Sequence, residues 1–173
     1  MLAYLFFHRA APGVDARAYE DGLRRFHEAL AQAGVPGFAG SRTYRTGGRY
    51  CDWYLVESSA SLDALNDAAV SGGRSVAHDD VARQATDAAG KLLKLVSGSY
   101  DANATNEVRF AKPRGMSYAD HYARLKPWTE RGDVSLWRRM MVLGPAPEFC
   151  LLARSDVQLP AEMEPEVSSR EGV

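Results

Sequence analysis

The feature that most constrains this chain is a unit it writes twice. Gly13-Val14-Asp15 follows an apolar run, Leu2 to Phe7, and opens a helical stretch. Offset by 102 residues, Gly115-Met116-Ser117 follows Val108 to Phe110 and does the same. Each copy has a proline just upstream, Pro12 and Pro113. The inward helical positions match as well, Leu23 with Leu125 and Phe26 with Trp128. A period this long means two copies of one strand–helix unit, not a solenoid. A length of 173 residues suits one domain or two small, fused halves.

Leu2 to Arg9 alternates two faces, with Tyr4, Phe6 and His8 on one and Leu5, Phe7 and Arg9 on the other. Neither face is plainly polar, so a strand covered on both sides is expected. Asp15 suits a helix N-cap, and Tyr19, Leu23, Phe26 and Leu30 form one apolar stripe running to about Ala33. Gly34 and Pro36 end that helix. Strands at Phe38 to Thr46 and Tyr50 to Glu57 flank the hairpin signal Gly47-Gly48. Short helices are predicted over Leu62 to Val70 and Ser75 to Ala89, then a strand over Lys91 to Val96. The order is β-α-β-β-α-β, the ferredoxin-like arrangement.

The second half repeats the opening of that order. It has a strand at Asn106 to Ala111, a helix at Ser117 to Trp128, and strands at Val134 to Val142 and Glu148 to Arg154. The sequence therefore divides into a ferredoxin-like half (1–97), a turn-rich linker (98–105), a partial second half (106–155) and an acidic tail (156–173). The fold class expected is α+β. Two ferredoxin-like repeats pack their antiparallel sheets together as an α/β barrel, and the second repeat is incomplete.

Composition removes several functions. Net charge is -1 with the signs interspersed, so neither a nucleic acid nor a membrane partner is expected. No apolar run approaches the roughly 18 residues of a membrane span. The two cysteines, Cys51 and Cys150, make no metal motif and no disulfide framework. With no signal peptide in the first residues, a cytoplasmic protein is expected. There is no phosphate-binding glycine loop and no nucleophile elbow.

The first strand, the Pro-Gly-Val-Asp lead-in, the long helix, the hairpin Ser41-Arg42-Thr43-Tyr44-Arg45 and the run Trp53-Tyr54-Leu55-Val56-Glu57-Ser58 resemble the dimeric α/β-barrel superfamily. The likeness is to its tandem, single-chain form, nearest to antibiotic-biosynthesis monooxygenase-like and EthD-like proteins. It covers roughly residues 1 to 155 and implies a small-molecule enzyme. Such an enzyme would be a cofactor-independent monooxygenase or cyclase acting on a hydrophobic aromatic or polyketide-like compound. Two positions depart from the monooxygenase pattern. Ser59 stands where those proteins usually carry Trp, and the first strand offers His8 in place of Asn. His78 falls where the haem-degrading relatives place their iron ligand, so the resemblance also implies an alternative, haem on His78. A non-catalytic ligand-binding or assembly module is the third reading, and the incomplete second half makes a homodimer an expectation.

Among the residues themselves, His8 shares a strand face with Tyr4 and Phe6. In a cavity those rings would bind substrate, and the imidazole could act as a base near neutral pH. Tyr44, Trp53 and Trp137 lie in other strands and could hold a flat ligand by stacking. Ordinary core is the competing reading. Arg42 and Arg109 are strand arginines that could steady an oxyanion, as could Arg139. Salt bridges to Glu107, Asp52 or Glu148 are the alternative. His27 is read as a surface or boundary residue, and His121, which matches Tyr19 in the repeat, as a satisfied core or edge histidine. Three adjacent residues, His78-Asp79-Asp80, cannot converge on one ion, so no metal is expected.

Overall fold

A computed structural model describes residues 1–173, save the surroundings of Gly73. Its strands and helices run β1 (Leu2–Ala10), α1 (Ala16–Ala31), β2 (Phe38–Thr46), β3 (Arg49–Val56), α2 (Ser61–Ala69), α3 (Gly73–Ala82) and β4 (Ala85–Ser97). Then come β5 (Asn106–Phe110), α4 (Tyr118–Thr129), β6 (Val134–Arg139), β7 (Phe149–Ala153), β8 (Glu166–Ser169) and β9 (Glu171–Gly172). A single 3-10 turn, Ala161–Met163, precedes β8. The chain divides into two compact units, Met1–Lys91 with Gly172–Val173, and Leu92–Glu171. The boundary falls inside β4, not in the turn-rich segment after it.

In the first unit the strand order is β4, β1, β3, β2. β1 and β2 both pair antiparallel with β3, with His8 opposite Tyr50, Phe6 opposite Asp52 and Thr43 opposite Asp52. Alternation then places Tyr4, Phe6, His8, Asp52, Tyr54, Ser41 and Thr43 on the helix side of the sheet. α1 starts where the sequence says it should, since the Asp15 carboxylate accepts from the Ala18 N–H at 2.8 Å. Its stripe of Tyr19, Leu23, Phe26 and Leu30 is buried. The opposite face, with Leu5 and Trp53, is buried too.

The second unit has the order β8, β5, β7, β6, with Leu93–Ser97 of β4 beside β6. α4 is capped by Ser117, which accepts from the Asp120 N–H at 3.1 Å. Gly13 and Gly115 lead into the two helices with φ of 84° and 77°, a left-handed turn that glycine makes without strain. The acidic C-terminal stretch is not a loose tail. Val157, Leu159 and Met163 join the core with Phe110, Leu125 and Leu151, and β8 pairs with β5. The strands of the second unit are therefore complete, and its second helix has shrunk to one 3-10 turn.

One prediction of local structure fails. Ala85 to Ala89 were assigned to a helix, and they form the start of β4. Alanine favours helix intrinsically, but pairing within the sheet overrides that weak preference. Gly90 sits within β4, where a Cβ would meet the Tyr4 hydroxyl at 2.7 Å.

Candidate functional site

The helix side of the first unit holds a cavity of about 520 Å³, floored by the sheet and walled by α1, α2 and α3. Tyr4, Phe6 and His8 all line it, as the alternation of β1 predicts. Tyr19, Leu23 and Phe26 enter from α1, Asp52 and Tyr54 from β3, and His78 and Val81 from α3. Asp63 and Asn66 of α2 are exposed and mark the mouth. Among the described residues no Lys or Arg lines the cavity.

Its floor carries a buried polar cluster. His8 is 2% exposed and Asp52 2%. The His8 ring stacks between Phe6, at 5.4 Å, and its cross-strand neighbour Tyr50, at 5.5 Å. The Tyr19 hydroxyl lies 2.7 Å from His8 Nδ1. On the other side of the ring, Nε2 lies 3.4 Å from Asp52 Oδ2, without the alignment of a hydrogen bond. Asp52 also accepts from the Thr43 hydroxyl at 2.6 Å and the Tyr54 hydroxyl at 3.1 Å. His27 Nε2 stands 3.5 Å from Asp52 Oδ1.

Burial pushes the Asp52 carboxyl up, but the close approach of the His27 and His8 ring nitrogens outweighs it and holds the group well below the usual carboxylate range. Asp52 is therefore an anion. Burial first, then the Asp52 charge and Tyr50, raise the Tyr19 phenol well above its ordinary value, so Tyr19 keeps its proton. A protonated phenol at 2.7 Å donates to Nδ1. The imidazole proton then sits on Nε2, facing the carboxylate, an assignment made from the network. Tyr19, His8 and Asp52 form a line in which a proton taken up by the ring would meet a fixed negative charge.

The structure does not bring all the predicted site residues together. Arg42, Tyr44 and Trp53 alternate to the opposite face of the first unit's sheet from His8. There the Arg42 guanidinium lies 5.8 Å from the Tyr44 ring centroid and flanks Gly172. Arg109 and Trp137 belong to the second unit. Arg109 pairs with Glu107, the Trp137 indole N–H donates to Ser135 at 3.0 Å, and Arg139 donates to the Gly144 carbonyl at 2.8 Å. His27 is not a surface residue, being 8% exposed and hydrogen-bonded to Ser41 and Thr43. His121 is buried, but neither of its ring nitrogens has a partner.

Sequence reasoning missed Asp52 and Tyr19 as site residues. The signal for Asp52 was a lone carboxylate within Tyr50-Cys51-Asp52-Trp53-Tyr54, where burial is costly unless the charge is paired.

Haem fits this lining poorly. His78 lines the cavity, packs its ring edge-on to Phe26 at 5.6 Å and stands 3.1 Å from Asp79, so an imidazole is at hand. Among the described residues no Lys or Arg lines the cavity to neutralise two propionates, and its floor is already anionic.

No protein-family model matches the chain, and no curated protein matches it. Solved structures do. An anthrone oxidase-like protein aligns at 9% identity and TM-score 0.60, covering 99% of this chain and 91% of that one. A candidate monooxygenase from Lactobacillus acidophilus NCFM aligns at 11% identity and TM-score 0.56, covering 99% and 93%. A candidate chlorite dismutase aligns at 11% identity and TM-score 0.56, covering 100% and 96%. The chain shares an α+β, ferredoxin-like fold with these structures. At these identities the likeness establishes fold alone. No helix of the chain is long and apolar enough to cross a membrane.

Proposed function

We propose that this chain is a small-molecule enzyme that takes a proton from an uncharged, planar, aromatic or polyketide-like compound held in the first unit's cavity. The observation that carries the reading is the Tyr19–His8–Asp52 line on the floor of a largely apolar cavity that no described Lys or Arg lines. An acidic C–H or O–H of the substrate gives its proton to the Tyr19 oxygen as Tyr19 gives its own to His8 Nδ1. The two transfers are concerted, because a free tyrosinate is disfavoured beside Asp52. The imidazolium formed is then paired with the Asp52 carboxylate. The aromatic floor of Tyr4, Phe6 and Tyr54 offers stacking surface to a flat ligand. A cofactor-independent monooxygenase and a cyclase share this first step. The fold likeness to an anthrone oxidase-like protein supports a substrate of that shape.

Fluorescence titration with 2-naphthol and 2-naphthoate tests the site. The neutral probe binds, and the carboxylate binds ~10-fold or more weakly, because no cation offsets the desolvation of its charge. Dioxygen uptake with an anthrone then reads the chemistry. His8→Gln lowers it by ~10²–10⁴-fold, the usual worth of general-base catalysis. Failure of every neutral naphthalene to bind sinks the proposal, and binding without turnover of any such compound supports a carrier instead. Haem on His78 is the second reading, favoured by the position of His78 in the cavity wall. A Soret band on haem titration that disappears in His78→Ala would establish it.

A further inference from the structure

His27 does not itself line the cavity described above, yet both its ring nitrogens are engaged. Nδ1 lies 2.6 Å from the Ser41 hydroxyl, and Nε2 lies 2.9 Å from the Thr43 hydroxyl. We propose that His27, acting through Thr43, is a positioning residue that fixes the Asp52 carboxylate against His8; the proposal rests on the reading of His8 as the base.

The direction of every hydrogen bond follows from one charge. Asp52 is ionised, so both its oxygens can only accept. Oδ1 takes the single hydroxyl proton of Thr43, at 2.6 Å. The Thr43 oxygen must then accept, which places a proton on His27 Nε2. In the neutral ring Nδ1 is left with a lone pair, and Ser41 donates to it. Ser41, His27 and Thr43 thus form one polarised chain ending on Oδ1. Oδ2 is left to Tyr54, at 3.1 Å, and to His8, at 3.4 Å.

The arm matters because His8 cannot hold the carboxylate itself. Its Nε2 is closed off from solvent and lacks an aligned hydrogen bond. The rotation of the Asp52 side chain therefore decides whether an imidazolium at His8 finds its counter-charge. α1 controls both ends of the pair. Tyr19 sets Nδ1 of His8, and His27, two turns further along the same stripe and ~12 Å away by helical rise, sets Asp52 through Thr43. Charged-group geometry of this kind is lost with small displacements.

Nitrogen-15 NMR of the imidazoles in the intact, ligand-free chain tests the arm. In the unaltered chain His8 and His27 both show the Nε2–H tautomer. Thr43→Val removes the hydroxyl at nearly constant shape, and the His8 tautomer ratio shifts by ~10-fold, the scale of one lost hydrogen bond. Thr43→Ser restores the original pattern. A merely structural role for Thr43 would not discriminate Val from Ser at the His8 ring. An unchanged His8 spectrum in Thr43→Val, with β3 amide exchange showing the fold intact, overturns the proposal. Where Thr43→Val does not fold, Ser41→Ala at the half-exposed outer end is read instead. It must shift the His27 pattern and, by a smaller amount, that of His8, and a His8 pattern that stays put overturns the arm. These spectra need no substrate. An unchanged pattern leaves the role of His8 as base standing, and failure to bind naphthol leaves the arm standing.

Discussion

Where the first unit sets His8 opposite Tyr50, the second sets Phe110 opposite Phe149. The ring pairs stack alike, at 5.5 Å and 5.4 Å. One step along, Asp52 opposite Phe6 becomes Leu151 opposite Val108. Across the next ladder, Thr43 beside Asp52 becomes Leu136 beside Leu151. Two frames of the same register thus carry a polar cluster in one case and a dry core in the other. Leu136, Phe149 and Leu151 fill the second frame without any buried charge. The frame does not need an aspartate or a histidine at these positions to close. Replacing a buried ion pair by apolar side chains is often neutral or stabilising. A polar residue in the second unit's core is His121, which stands where Tyr19 stands in the first and faces Phe110 where Tyr19 faces His8.

The sharpest way to break this comparison is to give the first unit the residue of the second. Asp52→Leu strands the Thr43 and Tyr54 hydroxyls and the His8 N–H in one step. It lowers the stability of the first unit by about 3–5 kcal/mol, the cost of removing one partner from a buried pair. Urea unfolding followed by β3 amide signals measures it. No loss would mean that the frame accepts the dry core without repacking, and that the polar cluster contributes nothing to folding.

The reverse change is smaller and of opposite sign. His121→Phe removes two buried nitrogens that have no partner and raises thermal stability by about 1–3 kcal/mol. The variant also alters the response to acid. Desolvation first, then Lys112 and Arg124, lower the His121 pKa, against an opposing pull from Glu148. The unfolded chain therefore binds the proton at higher pH than the folded one. Its contribution to stability is complete above about pH 6.5, the unfolded value, and is lost as pH falls from there toward the depressed folded value. Unfolding curves of the wild-type chain and His121→Phe should diverge in that window and run parallel above it.

The smallest effect sharpens the contrast at the helix. Tyr19→Phe leaves a ring in place and removes one hydrogen bond to His8 Nδ1. It costs about 1 kcal/mol of stability, visible as a shifted urea midpoint. A much larger cost would mean that Tyr19 holds more than His8.

Much of the frame was legible because it is written locally. The Asp15 and Ser117 caps, the stripe of α1 and the two faces of β1 need only near neighbours in sequence to be read. The floor of the site was half legible for the same reason. Tyr4, Phe6 and His8 are spaced along one strand, and their shared face follows from alternation. Asp52, Thr43 and Tyr19 reach His8 only through the register of β1, β2 and β3 and the seat of α1 on them. No periodicity within one segment encodes that register. The arginines were hard to place for a related reason. Arg42 lies on the face of β2 opposite His8, and on a sheet with two covered sides a strand position alone does not say which face meets the cavity. Ala85 to Ala89 misled because their preference for helix is weaker than a place in the sheet.

Gly90 sets a limit that no lining side chain does. With hydrogen alone on its α-carbon, β4 leaves the Tyr4 phenol its seat on the cavity floor. A single methyl group there would overlap the hydroxyl and force the ring, which lines the cavity, to shift. The breadth of the chamber is thus written in an atom that the chain leaves out, and selection for narrower or wider guests has at residue 90 a dial that touches none of the reacting groups.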